Sequence, residues 1–429
     1  MPTATPNLSR TEARDMIAAR GFDRPPTAPS PGRQVGIELE WLTVDADDPA
    51  RPAPPDTVHA AATAIGPFPE SSRLTFEPGG QVELSSPPLA LEVSCEAVAR
   101  DAAVLGDALA GAGVGLVSLG LEPGPQRDRV LRTPRYDAME TYFDSCGPSG
   151  RTMMRSTAAL QVNLDLGSGP EIEERWHAAH DVGPVLAAAF ANSPIGDAGP
   201  TGYRSTRLAV WSGVDRSRTT AVDDGNGARC SGFRDVWADY ALAAPVMLVR
   251  TSEETYEPLV TPLTFGDWVG NGHELGWPTL DDLDYHLTTL FPPIRPKGWL
   301  ELRMLDAVPA PWWRVAAAVS AVLVQDADAA DAVRDALTPV RNCWDAAARC
   351  GLADPALAAA ARTCFATALE ALPTAEVDPT TLDATREFVD RYVTRGRCPA
   401  DDRLDDWRAG RPPFPAADNR ARDAASARR

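Results

Sequence analysis

The sequence predicts an α+β fold in which helices cover one face of a sheet. Segments at 35–44, 81–85, 158–166 and 298–305 alternate apolar residues with acids and amides, the two-residue period of strands with one covered face. Ala-rich segments at 92–112, 171–191 and 312–395 carry a helical period and supply the cover. No internal repeat and no shift of composition marks a second domain.

The elements follow in chain order. Residues 1–10 read as a frayed lead-in, and Ser9-Arg10-Thr11-Glu12 caps a helix that runs to Ala19 and stops at Gly21. Pro25, Pro26, Pro29 and Pro31 make an extended connector, so 1–30 form an N-terminal helix and linker. Strand 35–44 leads into a Pro- and Asp-rich loop at 45–57. Strands at 73–77 and 81–85 flank Glu77-Pro78-Gly79-Gly80-Gln81, whose glycines allow a tight turn and close backbone approach. Helix 92–112 precedes a buried strand at 113–120, and 125–150 read as a loop of active-site size. Strand 158–166 is followed by helix 171–191, which Asn192-Ser193-Pro194 ends. The polar, glycine-rich 215–232 read as a mobile loop. A helix at 233–243, a strand at 246–250, loops over 252–280 and a helix at 281–290 come next. Strand 298–305 stops before Pro309–Pro311, and 312–395 are helical, broken near Gly351 and Pro373. One domain spans 31–408, and the charged, small-residue tail 409–429 is expected to be disordered.

Composition excludes several function classes. A net charge of −19 leaves no cationic excess for the phosphate backbone of nucleic acid. Any site for anions must therefore recruit local arginines or metal cations. Lys297 is the only lysine, and it lies in Arg295-Pro296-Lys297-Gly298, outside any glycine-rich phosphate loop, so a P-loop is excluded. The seven cysteines form no C-x-x-C pair, which suits reduced thiols in a cytoplasmic protein. Cys343 and Cys350 read as core residues of a helix rather than a redox switch. No signal-peptide pattern and no membrane-length apolar run is visible. The five histidines lack H-E-x-x-H spacing, and no nucleophile elbow or dinucleotide fingerprint appears. No exposed apolar stripe stands out, so a monomer is expected.

The polar strand faces carry the chemistry. Glu38 and Glu40 oppose Ile37, Leu39 and Trp41; Gln81 and Glu83 oppose Val82 and Leu84. Gln161, Asn163 and Asp165 oppose a leucine and valine face, and Glu301 and Arg303 oppose Leu300, Leu302 and Met304. Two readings stay open for such faces. One is the solvated side of an antiparallel sheet. The other is an oxygen-rich floor for divalent cations and phosphates, raised beside the first because strands disfavour acids and like charges repel across strands. Arg204 and Arg207, on one face if helical, together with Arg155 and Arg303, can fork onto carboxylate or phosphate oxygens.

These motifs resemble a known family. Val35-Gly-Ile-Glu-Leu-Glu-Trp41, Phe76-Glu-Pro-Gly-Gly-Gln-Val-Glu-Leu-Ser-Ser86, Thr157-Ala-Ala-Leu-Gln-Val-Asn-Leu-Asp165, Ala191-Asn-Ser-Pro194, Gly202-Tyr-Arg-Ser-Thr-Arg207, His286-Leu-Thr-Thr-Leu-Phe-Pro-Pro293 and Trp299-Leu-Glu-Leu-Arg303 resemble the plant- and bacterial-type glutamate–cysteine ligases. They are most similar to the actinobacterial enzymes of the ergothioneine pathway, in order from about residue 30 to 315. The resemblance implies a twisted antiparallel sheet curled into a funnel with helices outside, as in glutamine synthetase and other carboxylate–amine ligases. It implies that ATP phosphorylates the γ-carboxyl of L-glutamate and that the amine of L-cysteine attacks the acyl phosphate. By motif position it makes Glu38, Glu40, Glu83 and Glu301, with Glu77 as a further candidate, ligands of magnesium. Gln81, Arg155, Gln161, Asn163 and Arg204 would contact nucleotide or substrate, and Arg207 and Arg303 would hold glutamate or the transferring phosphoryl group. The disulfide regulation of plant members does not carry over. Alternatives are a ligase that joins glutamate to another amine, or a catalytically dead ligase-like binding protein. The residues do not choose between ergothioneine and glutathione as the downstream product.

Overall fold

Strand β1 (Gln34–Asp45) organises the sheet, because its 12 residues pair with four different strands. It is followed by β2 (Arg73–Phe76), β3 (Val82–Ser85), β4 (Leu89–Ala90), β5 (Val114–Val117) and β6 (Ala159–Leu164). Two small hairpins stand apart, β7 (Ile195–Gly196) with β8 (Gly199–Pro200), and β9 (Leu248–Arg250) with β10 (Tyr256–Pro258). Then β11 (Ile294–Pro296) and β12 (Leu300–Asp306) return to the main sheet. Its order is β11-β12-β6-β1-β3-β2, all antiparallel, with β4 and β5 pairing the two ends of β1. The computed structural model describes residues 8–25, 32–222, 232–252 and 255–419.

Register turns the alternation of each strand into shared faces. Leu39 lies between Leu84 and Leu160, and Val162 lies between Ile37 and Leu302. These side chains are buried beneath the helices Glu171–Ala189 and Trp312–Gln325. Every residue of the second helix is buried; its sequence is mostly Ala and Val, and its two long polar side chains find partners, Arg314 in Glu96 (2.9 Å) and Gln325 in Gln34 O (3.1 Å). The opposite sheet face collects the polar residues in rows. One runs Arg295–Glu301–Asn163–Gly36, the next Gln161–Glu38–Ser85, and the third joins Glu40, Glu83 and Thr75. The α+β architecture with outer helices is thus borne out.

Local expectations fare unevenly. The capping box of Ser9 and Glu12 forms, but the first helix continues through Gly21 to Phe22. The loop expected at 125–150 is largely helical, Pro134–Cys146 and Ser149–Ser156. A further helix, Pro55–Thr63, begins inside the loop expected at 45–57. In both places a proline serves as the first helical residue, where its missing N–H costs nothing. The start of the expected mobile loop is anchored: Arg218 is fully buried, donating to Thr289 O (3.0 Å) and Pro245 O (2.6 Å) and pairing with Asp215. The remainder, 223–231, lies outside the described residues. Cys343 and Cys350 are half-buried at the two ends of a short helix, and Cys343 packs against the main core from its edge.

The tail is corrected as well. Residues 409–412 are exposed, but Phe414, Ala417 and Asn419 are buried against the sheet, and 420–429 lie outside the described residues. The Asp418 N–H donates to Leu116 O (2.7 Å), while Asn419 Oδ1 accepts from Leu116 N (3.1 Å). The segment therefore satisfies backbone groups of β5, and Phe414 packs with Leu42, Val44 and Val117. Composition pointed to disorder because one aromatic and one amide do the anchoring. No helix among the described residues is long and apolar enough to cross a membrane.

Candidate active site

The polar rows of the sheet bring the predicted carboxylates together. Glu40 and Glu83 are direct cross-strand partners on β1 and β3. Glu77, the first residue of the β2–β3 connection, faces Glu40 and Glu83 electrostatically, and Glu38 is next to Glu83 and Glu301. Burial comes first in raising the Glu38 and Glu77 carboxyls to about 7, and neighbouring carboxylates add to it. Glu40 is pushed well above its ordinary value, by burial and then by Glu77 and Glu83. Four acids that repel one another in a desolvated place constitute a site short of positive charge.

Hydrogen bonds hold these acids in position. Glu40 accepts from Ala159 N (2.8 Å) and Gln161 Nε2 (3.2 Å), and Glu38 accepts from Asn163 Nδ2 (2.8 Å). Asn163 Oδ1 in turn accepts from the Trp299 indole (2.9 Å). Glu83 accepts from Thr75 (2.6 Å) and Ser85 (3.0 Å), both on the same face. Gln81 is buried and donates to Thr157 O (2.8 Å), which ties the glycine turn to the start of β6. A Cβ on Gly79 would stand 2.0 Å from Arg155 O, so glycine there serves backbone packing in this structure.

Glu301 differs from the other acids. Its Oε2 accepts from Arg295 Nε (2.7 Å) and Arg303 Nη1 (2.9 Å), and its Oε1 from Lys297 Nζ (3.2 Å). Burial raises its pKa, but the combined fields of Arg295, Arg303 and Lys297 outweigh that and hold it well below the usual carboxylate range. It is already neutralised, whereas the Glu38–Glu40–Glu77–Glu83 group is not. Among the described residues no three His, Cys, Asp or Glu side chains stand close enough to enclose a metal ion unaided. Magnesium does not require such a cage: it is held by one or two carboxylates, waters and substrate phosphates.

Arg207 and Arg303 meet at one end of this floor. Arg207 is buried, its Nη2 donates to Arg303 O (2.9 Å), and its Nη1 lies 4.0 Å from Asp306. Arg303 Nη1 also donates to Gln161 Oε1 (2.7 Å). Both guanidinium groups lie over the Trp211 ring, 5.7 and 5.6 Å from its centroid. Arg207 Nη1 and Arg303 Nε are buried and find no hydrogen-bond partner among the described residues. Two converging cations with spare donors suit an anion. They line a cavity of about 590 Å³ together with Trp211, Arg216, Phe291 and Tyr203.

The other two arginines are engaged elsewhere. The helix starts at Thr206 with Ser205 as its cap, so Arg204 and Arg207 share no helical face. Arg204 pairs with Asp401 (2.7 Å), and Arg155 pairs with Glu140. Sequence reasoning missed Arg295, whose neighbour in register is Glu301, and Asp306, which accepts from Asn192 N, Ser193 and Ser205 (2.7–2.8 Å) beneath Arg207. The signal for Asp306 was its place on the strand of Glu301 and Arg303.

The model of glutamate–cysteine ligase family 2 matches residues 34–420. The chain is 42% identical over 383 residues to the glutamate–cysteine ligase EgtA of Mycobacterium tuberculosis, covering 88% of this chain and 87% of that protein. It is 41% identical to the EgtA of Mycolicibacterium smegmatis, covering 86% of each. The chloroplastic glutamate–cysteine ligase of Arabidopsis thaliana is 32% identical over 61% of this chain and 51% of its own length. A glutamate–cysteine ligase of Francisella tularensis, solved in complex with AMP, shares the fold with a TM-score of 0.52 at 14% identity, over 87% of this chain and 84% of that one. With its acidic sheet face and paired arginines, this chain belongs to glutamate–cysteine ligase family 2.

Proposed function

We propose that the protein joins the γ-carboxyl of L-glutamate to the amine of L-cysteine at the expense of ATP. The observation that carries the reading is the pairing of a cation-deficient carboxylate group with two arginines that keep buried, unused donors. The names of the mycobacterial relatives supply the two amino acids. A γ-carboxylate oxygen of glutamate takes the γ-phosphoryl group and ADP leaves. The cysteine nitrogen then bonds to the acyl carbon, phosphate departs and the nitrogen loses a proton.

The chain's own residues bind and orient. Arg207 and Arg303 would hold the anion that changes most, glutamate or the transferring phosphoryl group. Gln161 fixes Arg303 on one side and Glu40 on the other, so it sets the spacing between the arginine end and the acidic floor. Asn163 holds Glu38 on one side and the Trp299 indole on the other. Glu38, Glu40, Glu77 and Glu83 would hold magnesium, and Glu301 would join only by giving up Lys297. Bound magnesium would neutralise the phosphates and stabilise charge that develops in transfer. Gln81 and Arg155 act through the glycine turn that carries Glu77, and Arg204 braces the Arg207 segment. The downstream product is expected to be ergothioneine.

The test is a purified assay with ATP, magnesium and glutamate against a panel of amines, read by product mass. A γ-glutamylcysteine product with one ADP per bond supports the reading. Preference for another amine, or ADP release without a product, overturns it.

A further inference from the structure

The only lysine of the chain stands at the edge of the acidic floor, and the mechanism above gives it no task. Its Nζ is 3.2 Å from Glu301 Oε1 and 5.1 Å from the Trp299 ring centroid. Glu301 does not need it for neutralisation, since Arg295 and Arg303 already pair with the other oxygen. Those arginines are nearly enclosed and have further acceptors, Leu290 O and Gln161 Oε1. The Lys297 side chain is 41% exposed, and the Glu301 contact engages one of an ammonium's three donors.

The backbone beneath the lysine is fixed, while its side chain is partly exposed. Gly298 has φ +79°, where a Cβ would stand 2.7 Å from Pro25 Cδ, and its N–H donates to Gly21 O (2.8 Å). Lys297 N–H donates to Trp299 O (2.8 Å), closing the turn. Next to this turn opens a second cavity, of about 310 Å³, lined by Gly298, Trp299, Pro25, Asn163 and Glu38. A partly exposed ammonium thus stands between the turn that walls this cavity and the floor assigned to metal and phosphate.

We propose that Lys297 is a polyphosphate-binding residue that leaves Glu301 for the phosphates of a bound nucleoside triphosphate. This rests on the proposed ATP-dependent function. A strongly hydrated ammonium on a flexible stem meets phosphate as a point charge, which buried arginines with fixed partners cannot do by moving. Release of Lys297 also frees one oxygen of Glu301. The ligand contact is with the polyphosphate, so AMP lacks most of it.

A single lysine makes the test site-selective. The full-length protein is treated with an amine-acetylating reagent, and modification of Lys297 is followed by peptide mass with magnesium and either ATP or AMP. Direct titration calorimetry measures binding of both nucleotides to the wild type, Lys297→Ala and Lys297→Arg. ATP is expected to slow acetylation of Lys297 about tenfold or more, and AMP less than about twofold. Lys297→Ala should weaken ATP binding by about tenfold to a hundredfold, a charge-assisted contact, with AMP binding almost unchanged. Lys297→Arg should recover most of the loss. If the wild type binds ATP but Lys297 is not protected, or Lys297→Ala binds ATP normally, the lysine assignment fails alone. If the wild type binds no ATP, the functional reading fails with it.

Discussion

Glu40 and Glu83 face each other across β1 and β3 as direct register partners, two acids where a sheet ordinarily sets opposite charges or apolar pairs. Glu77 adds a third acid to the same field. Such an arrangement weakens the fold on its own and is relieved by a cation. Glu83→Gln keeps the acceptor for Thr75 and Ser85 and removes a charge. It should raise the stability of the protein in chelator by about 0.2–1 kcal/mol. It should also shrink the magnesium-dependent rise in Tm and lower turnover by about 10²-fold. Thermal melts with and without magnesium, beside turnover, check it. A variant that melts lower in chelator would show that the pair does not repel.

Arg303 holds Glu301 and Gln161 with one nitrogen and leaves Nε unused. Arg303→Lys retains a cation for Glu301 but loses the planar fork. The expected outcome is a fall in kcat/KM of about 10²–10³-fold with Tm lowered only slightly. Steady-state kinetics over glutamate and ATP will show it. Unchanged kinetics would remove Arg303 from the site.

Much of this site was legible from the strand period alone. Alternation placed Glu38, Glu40, Glu83, Glu301 and Arg303 on one face, and register did the rest. What alternation lacks is information across strands. It could not show that Glu301 meets Arg295 and Lys297, because that depends on how β11 folds back on β12. It put Arg204 with Arg207 on an assumed helix that starts two residues later. Prolines misled in the other direction. Pro55 and Pro134 read as breakers, yet each opens a helix.

His286 provides a pH test away from the acidic floor. It is buried and stacked on Phe265, and its Nε2–H donates to Ala241 O (2.8 Å). Burial pushes its pKa down to about 3 from an ordinary 6.5. The unfolded chain therefore binds a proton that the folded chain refuses between those values. Stability from this group is whole above about pH 6.5 and declines as pH falls toward 3, by at most about 1.4 kcal/mol per pH unit. Urea midpoints at pH 7.5, 6, 5 and 4 should show a steeper decline for wild type than for His286→Gln. Parallel profiles would mean that the ring is protonated in the fold.

The tail prediction follows from the free side of β5. Among the described residues that strand pairs only with β1, so its outer backbone groups need partners. Asp418 and Asn419 supply them, and Asn419 Nδ2 also donates to Gly106 O and Val114 O (both 3.1 Å). Phe414 closes the apolar cluster of Leu42, Val44, Val117 and Ala158. Phe414→Ala should cost about 3 kcal/mol by leaving a cavity. Asn419→Ala strands one buried N–H and two carbonyls and should cost about 1–3 kcal/mol. Removal of 412–429 should do more than either, since it exposes a strand edge to other chains as well. Urea unfolding measures the two substitutions, and light scattering of the truncated protein measures association. A truncated chain that stays monodisperse and as stable as wild type would place the tail among dispensable segments.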